Sequence, residues 1–271
     1  MTATVVAAKA AKNPYSDKPV DEILASHDEA ALRVQLAAAY RLFEHYGWTK
    51  LTVIFGHITM RVPGPNRHFL INPYGLRYDE ITASNLVKID VDGNKVEDSP
   101  YDVNPAGFAI HSAIHSSAPN AHCVMHTHTR AGMAVSALEC GLLPISMASM
   151  SFNGGLGYHE YEGSVVVDEE KPRLVRDLGN HKALMLKNHG LLTVGETIAE
   201  AFIYLFRLES SCQVQLDAMA TGEKLAIPGA AVVEKSAEQM NMLPVGSNDI
   251  GLLSYAANMR LMDKLDPSYR H

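Results

Sequence analysis

The stretch Ala-His-Cys-Val-Met-His-Thr-His-Thr, residues 121–129, carries the strongest structural signal in this chain. An apolar run from Cys123 to Met125 leads directly into two histidines, His126 and His128, which are separated by one residue. In an extended strand, residues i and i+2 point to the same face, so these imidazoles would lie side by side at the end of a buried strand. Such a pair is half of a metal site, although histidines on a strand are often satisfied core or surface residues.

A third histidine, His189, lies far along the chain in the turn Asn188-His189-Gly190, after an apolar run. Neutral imidazoles that project from a strand end and a nearby turn suit a divalent ion with open coordination positions. Such an ion can polarise a carbonyl oxygen or lower the pKa of a bound water. We therefore predict that His126, His128 and His189 form a metal site of the catalytic type.

The composition predicts one large core and argues against several classes of partner. Of the 271 residues, 47% are hydrophobic and 20% are charged, which is enough for a single core. The formal charge is −7, and the basic residues are scattered, so we expect neither a nucleic-acid face nor a membrane-binding patch. Three irregularly spaced cysteines in apolar surroundings predict reduced thiols and a cytoplasmic protein. We recognise no signal peptide and no run of about 18 apolar residues.

Hydrophobic periodicity and turn residues predict an α/β chain with one main domain. Helical spacing predicts helices over residues 27–46, 108–117, 131–140, 169–179, 197–220 and 249–265. Strand patterns occur over residues 53–55, 58–62, 68–71, 86–91, 95–97, 121–129, 144–150, 183–186 and 191–194. We divide the chain into a flexible N-terminal arm (1–25), a main domain (26–225) and a C-terminal extension (226–271). The chain is predicted to be irregular from residue 222 to the terminal helix.

Two further segments offer polar side chains for a site. Residues 151–163 are rich in glycine and aromatic residues and predict a pocket-lining loop that carries Tyr158, His159 and Glu160. His111 and His115 are four residues apart and would share one face of a helix. That spacing fits metal ligation and a solvent-facing helix equally well.

Four motifs in order carry a resemblance to a known family. They are Gly56-His57-Ile58-Thr59-Met60-Arg61, Ile71-Asn72-Pro73-Tyr74-Gly75, His126-Thr127-His128 and Asn188-His189-Gly190-Leu191-Leu192. These motifs resemble the class II aldolase/adducin family, which includes fuculose-phosphate aldolase and ribulose-phosphate 4-epimerase, over roughly residues 30–220. The resemblance implies a three-layer α/β/α fold with a mainly antiparallel central sheet, and a homotetramer with sites at subunit boundaries. It also implies a divalent metal, most commonly zinc, with iron or manganese as alternatives, on His126, His128 and His189.

The sequence departs from the family's pattern where phosphate and protons are handled. The family's catalytic glutamate, 19 residues before the first histidine of the pair, is Gly107 here, and the neighbouring serine pair is Pro105-Ala106. The asparagine of the family's phosphate loop is His57. A phosphorylated sugar is therefore not the expected substrate, and another residue must provide acid–base catalysis. The candidates for that role are His57, His111, His115, Tyr158, His159 and Glu160. The positions expected to contact substrate are Tyr74, Gly75, Gly107 and Glu160.

Three functions remain open at this stage. The first is a metal-dependent lyase that cleaves or decarboxylates a small, non-phosphorylated carbonyl or carboxylate compound. The second is a non-haem Fe(II) oxygenase for an aromatic or oxo-acid substrate, since three histidines without a carboxylate leave positions for oxygen and substrate. The third is a non-enzymatic binding or assembly module of the adducin type, which the retention of all three candidate ligands disfavours.

Overall fold

A seven-stranded sheet forms the centre of the fold. The structure is a computed structural model that describes residues 12–118, 120–163, 167–242 and 251–271. The strands, in chain order, are β1 His57–Arg61, β2 Phe69–Ile71, β3 Val87–Ile89, β4 Cys123–Thr127, β5 Leu156–His159, β6 Ala183–Leu186 and β7 Gly190–Gly195. Their spatial order is β3-β2-β1-β4-β7-β6-β5, and every neighbouring pair is antiparallel except β5 and β6.

Helices cover both faces of the sheet. They are α1 Val20–Ala25, α2 Glu29–His45, α3 Pro105–Ser117, α4 Arg130–Ser136, α5 Met147–Met150, α6 Lys171–Leu178, α7 Ile198–Ala220, α8 Ala230–Met242 and α9 Leu252–Leu265. Apolar residues of α3 and α6 pack with one face of β4, β6 and β7, whereas α2, α7 and α9 form the core on the other face. The prediction of a three-layer α/β/α fold with a mainly antiparallel sheet is therefore confirmed. No helix within the described ranges is long and apolar enough to cross a membrane.

The ends of several strands lie together along one side of the sheet, and we call this row of strand ends the sheet edge. His57 begins β1 and lies opposite His126 in the β1–β4 register. His159 ends β5, which runs parallel to β6, and His189 lies in the tight turn between β6 and β7. Because antiparallel neighbours alternate in direction, the end of β4 and the β6–β7 turn meet at the same edge as the start of β1.

Several sequence-based predictions of elements were wrong. Residues 144–150 were predicted as a strand, but Ser146 caps the short helix α5 by accepting a hydrogen bond from the Ser149 amide. Residues 151–163, predicted as a loop, contain β5. The region after residue 222 was predicted to be irregular but contains α8. Residues 53–55 form no strand: residues 53 and 54 lie in a turn, where Val53 takes a left-handed conformation with φ of 56°.

The segment 1–25 was predicted to be a flexible arm, and part of it is ordered. Residues 12–25 include α1, where Ile23 is fully buried, and the Arg270 side chain donates a hydrogen bond of 2.6 Å to the Lys18 carbonyl. The prediction failed there because these contacts join positions at opposite ends of the chain. Residues 1–11 lie outside the described ranges.

The hydroxyl of Tyr40 fastens α2 to the start of β1 and the end of β2. This fully buried hydroxyl accepts hydrogen bonds from the amides of Ile58, at 3.0 Å, and Asn72, at 3.1 Å. It also lies 3.0 Å from the Asn72 Oδ1 atom, to which it can donate. One side chain therefore satisfies backbone groups of two strands close to the sheet edge described above.

We expect Tyr40→Phe to lower the free energy of unfolding by roughly 2 kcal/mol or more, because two buried amides lose their acceptor. Urea unfolding followed by circular dichroism measures the change. The matched control is Tyr74→Phe, whose side chain is exposed and whose loss of a hydroxyl should change stability by less than about 0.5 kcal/mol. Equal effects of the two substitutions would refute the anchoring role of Tyr40.

Candidate metal centre and its cavity

The three histidines predicted as metal ligands converge. His126 Nε2 lies 2.7 Å from His128 Nε2, which in turn lies 2.8 Å from His189 Nε2. The ligand atoms of the group all lie within 4.8 Å of one another. Among the described residues, this group contains no carboxylate. Two ligands come from the end of β4 and one from the β6–β7 turn, as the sequence predicted.

A backbone carbonyl fixes the tautomer of His126. His126 Nδ1 lies 2.9 Å from the carbonyl oxygen of Leu191 on β7. A carbonyl can only accept a hydrogen bond, so Nδ1 carries the proton and Nε2 keeps its lone pair. The same arrangement of a metal-ligating histidine with its second nitrogen bonded to a carbonyl is common around protein-bound metals.

Burial keeps the three imidazoles in the neutral form that ligation requires. It lowers the pKa of His126 well below its usual value and the pKa of His128 to about 4, and neighbouring histidines add to both effects. Burial also lowers the pKa of His189, although the charge of Glu170 opposes this shift. Three neutral nitrogens that face one another cannot all satisfy each other with hydrogen bonds, whereas a divalent ion can accept all three lone pairs. The residues therefore fit the implied metal.

A cavity of about 220 Å³ opens beside the three histidines. Its wall includes His57 at the start of β1, Gly107 in the first turn of α3, the segment 159–163, Glu170 and Lys187. The sequence predicted His57, Gly107, His159 and Glu160 for the site, and the structure brings all four to this wall.

His57 fills the space beside Gly107. A Cβ atom built on Gly107 would lie 1.7 Å from His57 Nε2 and 2.0 Å from its Cδ2 atom. The position where the family carries its glutamate can therefore hold no side chain while the His57 ring occupies this place. Burial lowers the pKa of His57 to about 4, so its ring is neutral near pH 7. The His57 ring therefore occupies the volume that a glutamate side chain at position 107 would need.

A directed chain of hydrogen bonds lies behind His57. His115 Nδ1 donates to the Ala121 carbonyl at 2.8 Å, so its Nε2 must accept a hydrogen bond from the Thr59 hydroxyl, 2.7 Å away. The Thr59 oxygen then accepts from His111 Nδ1 at 2.7 Å, which leaves His111 Nε2 without a proton. His111 and His115 thus form a buried layer beneath the cavity and are not exposed to a substrate, contrary to the prediction of a direct catalytic role.

Three other predicted site residues lie away from the cavity wall. Tyr158 points to the opposite side of β5 from His159, and its hydroxyl accepts a hydrogen bond from the Leu142 amide at 3.0 Å. Tyr74 is exposed, and a Cβ atom placed on Gly75 would meet no other atom within 4 Å. Neither Tyr74 nor Gly75 belongs to the wall of the cavity.

His159 reaches the site but is held between two carboxylates. Its Nε2 lies 3.1 Å from Glu170 Oε1, and its Nδ1 lies 2.8 Å from Asp177 Oδ2. Glu160, the remaining candidate, forms an ion pair with Lys187 at the mouth of the cavity. Sequence analysis missed Glu170, Lys187 and Phe55 as wall residues. Pro172 in the first turn of α6 marks Glu170 as a helix start, but nothing local signals its contact with His159.

Comparisons with known proteins show the family and the fold to which this chain is similar. The family described as Class II Aldolase and Adducin N-terminal domain matches residues 34–216. The structure of an aldolase II superfamily protein from Pseudomonas syringae superposes with a TM-score of 0.86 at 44% identity, covering 91% of this chain and 97% of that chain. The structure of L-fuculose 1-phosphate aldolase from Glaciozyma antarctica gives a TM-score of 0.77 at 30% identity, covering 94% and 95%. Alpha-adducin from Rattus norvegicus is 42% identical over 260 residues, which are 90% of this chain and 35% of the adducin.

The fold and the site define an α/β protein in which three histidines that could hold a metal ion converge at one edge of a mainly antiparallel sheet. The chain belongs to the class II aldolase/adducin family. The resemblance inferred from the four sequence motifs is confirmed.

The close packing of His57 against Gly107 predicts that the substitution Gly107→Ala changes stability in opposite directions with and without the His57 ring. Gly107→Ala should lower the free energy of unfolding by about 1–3 kcal/mol, because the new Cβ overlaps the His57 ring. In a His57→Ala background the same change should stabilise the protein by up to about 1 kcal/mol, since alanine is the better helix residue. Urea unfolding of the four proteins in the cycle measures the coupling; additive effects would contradict the contact.

The buried histidines predict a loss of stability in mild acid. In the folded chain the pKa of His57 is about 4 and that of His115 about 3, against 6.5 in an ordinary environment, so the unfolded chain binds protons first as the pH falls. The stabilisation is complete above pH 6.5 and is lost as the pH falls towards 4. For His57 alone the difference corresponds to about 3 kcal/mol. Urea unfolding of metal-free protein between pH 7 and pH 4 should show this slope, reduced in His57→Asn and unchanged in the exposed control His27→Gln. A flat profile would contradict it.

Proposed function

We propose that this chain is a divalent-metal-dependent lyase for a small, non-phosphorylated carbonyl or carboxylate compound. The observation that carries the proposal is the convergence of three neutral Nε2 atoms on one point, with His126 oriented by the Leu191 carbonyl. Family membership supports a reaction of the aldolase class. The reaction breaks a carbon–carbon bond, either by aldol-type cleavage or by decarboxylation.

The charges around the cavity support a substrate without phosphate. Three glutamates, Glu160, Glu162 and Glu170, belong to its wall, and the cation there, Lys187, forms an ion pair with Glu160. Glu162 forms an ion pair with Arg173. A phosphate carries about 1.5–2 negative charges near pH 7 and would meet more carboxylate than cation in this wall.

Each group of residues in the site has its own proposed role. His126, His128 and His189 would hold the ion, which we propose to be zinc, with iron or manganese as alternatives. When bound, the ion supplies Lewis-acid polarisation of a substrate carbonyl oxygen. His57 closes the side of the cavity beside Gly107 and presents a neutral ring there. The apolar side chains of Ile110, Leu174 and Leu186 complete the wall and limit the access of water.

We propose that the protein works as a cytoplasmic homotetramer with its sites at subunit boundaries. The side chains of Leu51, Val53, Phe55 and Tyr74 are all exposed, by 56%, 51%, 49% and 42%, and Phe55 also belongs to the cavity wall. A cluster of exposed apolar residues beside a site is typical of a surface that another subunit covers. All three cysteines are free thiols, as in proteins of a reducing compartment.

The similarity to rat alpha-adducin supports a second candidate function, a non-enzymatic binding or assembly module. Such a module needs no metal, so its function would not require three neutral nitrogens that face one another. The two candidates therefore differ in their dependence on the ion. A Fe(II) oxygenase, the third candidate, differs from the lyase in the identity of the ion and in its use of oxygen.

We expect the purified chain to bind about one divalent ion per subunit. We expect His126→Ala to lower the affinity for that ion at least tenfold, because one proposed ligand and its backbone-oriented lone pair are lost. Elemental analysis and calorimetry with Zn²⁺ measure both quantities. The control is His122→Ala, four residues earlier on the same segment and outside the ligand group.

The identity of the ion decides among the three candidates. Zinc or manganese without oxygen uptake supports the lyase. Iron with substrate-dependent oxygen uptake supports the oxygenase. Wild-type protein that binds no divalent ion would leave the binding module as the function.

A further inference from the structure

Glu170 is the buried carboxylate of the cavity wall. This residue is only 4% exposed, although it lines the same cavity as the three histidines. The other two glutamates of the wall, Glu160 and Glu162, are exposed and form ion pairs with Lys187 and Arg173. A carboxylate is seldom buried without a specific partner.

The partner of Glu170 is His159, and the pair is held in turn by Asp177. Both ring nitrogens of His159 face carboxylate oxygens, at 3.1 Å for Glu170 Oε1 and 2.8 Å for Asp177 Oδ2. Both ring nitrogens of His159 are therefore engaged by carboxylates. His159 consequently has no lone pair left for a substrate. Its place in the site is that of a positioning residue.

The Glu170 carboxylate and the three histidines belong to the wall of one cavity. The hydrogen bond from His159 uses the Oε1 atom, and a carboxylate has a second oxygen that can accept further hydrogen bonds. A hydroxyl group of a molecule in this cavity would meet an acceptor there.

We propose that Glu170 is the residue that takes the hydroxyl proton of the substrate, and that the substrate is an uncharged β-hydroxy carbonyl compound. This inference rests on the function proposed above and narrows it to aldol cleavage. Glu170 removes the hydroxyl proton, the hydroxyl carbon becomes an aldehyde or ketone, and the bond between the two carbons breaks. The electron pair of that bond passes to the carbon beside the other carbonyl, which then receives the proton from Glu170. One molecule gives two, and no oxidant or co-reactant is consumed.

Charge distinguishes Glu170 from His57, which also lies in the wall. A proton on His57 would create a buried cation beside a centre built for a divalent cation, which low-dielectric surroundings penalise. A proton on Glu170 removes a buried negative charge, and His159 stays paired with Asp177. The fixed negative charge of Glu170 also repels a substrate carboxylate, so it opposes the decarboxylation of an oxo-acid.

The first test follows proton transfer at carbon in the zinc-loaded chain. The α-hydrogens of dihydroxyacetone, an uncharged carbonyl compound, should exchange with deuterium in D₂O, as measured by proton NMR. Glu170→Gln should slow this exchange by about 10²-fold or more, the usual contribution of a general base, with the zinc content per chain unchanged. Asp168→Asn, an exposed carboxylate two residues earlier and outside the cavity, should leave the exchange unchanged.

The second test measures binding instead of reaction. Calorimetry with oxalate, a dianion, should show about tenfold tighter binding to zinc-loaded Glu170→Gln than to wild type, because the repelling charge is gone. Glu170→Asp keeps the charge on a shorter side chain, so it should retain weak oxalate binding and still lose exchange. This second variant also serves if Glu170→Gln does not fold.

The outcomes separate this inference from the proposed function. If the wild type exchanges dihydroxyacetone and Glu170→Gln does so equally fast, or if oxalate affinity is the same in both, Glu170 does not face the substrate and this inference fails alone. If the wild type exchanges pyruvate but not dihydroxyacetone, the substrate class is wrong. A zinc-loaded wild type that exchanges neither compound overturns the lyase itself, and the role of Glu170 with it.

Discussion

The hydrogen bond from His126 Nδ1 to the Leu191 carbonyl joins the fold of this protein to its chemistry. It crosses from β4 to β7, whose antiparallel register places Thr127 opposite Leu191 and His126 opposite Leu192. A slip of one residue in that register would turn His126 to the other face of the sheet. Gly190 permits the close approach, since a Cβ there would lie 2.2 Å from the Thr127 carbonyl oxygen. Strand pairing therefore sets the tautomer, and the tautomer sets the lone pair.

At the same sheet edge, a side chain on one element takes the space that a side chain on another element would need. The place beside Gly107 is a fixed volume between β1 and α3, and either position 57 or position 107 can fill it. Here the side chain comes from β1 and its ring is neutral, and the buried carboxylate of Glu170 belongs to the wall of the same cavity. The proposed transfer of the acid–base role from position 107 to Glu170 requires no change in the three histidines. It changes which end of a substrate faces a negative charge.

The sequence predicted the three-layer fold through the family resemblance that four motifs carry, whereas local patterns predicted that the three histidines converge. A pair of histidines with one residue between them after an apolar run needs only strand periodicity, and the turn with His189 needs only its Asn-His-Gly triplet. Asn188 tolerates the left-handed conformation that this turn requires, with φ of 56°. Glu170 and the order of residues 12–25 escaped prediction, since each depends on contacts across the fold. The strand predicted over 144–150 failed because the cap at Ser146 outweighed β propensity.

The buried imidazoles of His57, His111 and His115 have a role in the site although the last two touch no cavity. Each is buried, and burial lowers the pKa of each, so the layer between α3 and the sheet carries hydrogen bonds but no charge. The chain from the Ala121 carbonyl through Thr59 has one direction, and it leaves His111 Nε2 unprotonated. A layer of ionised side chains in this place would compete with the centre for its ion or repel it. A neutral polar layer instead joins α3 to the middle of β1 through the Thr59 hydroxyl.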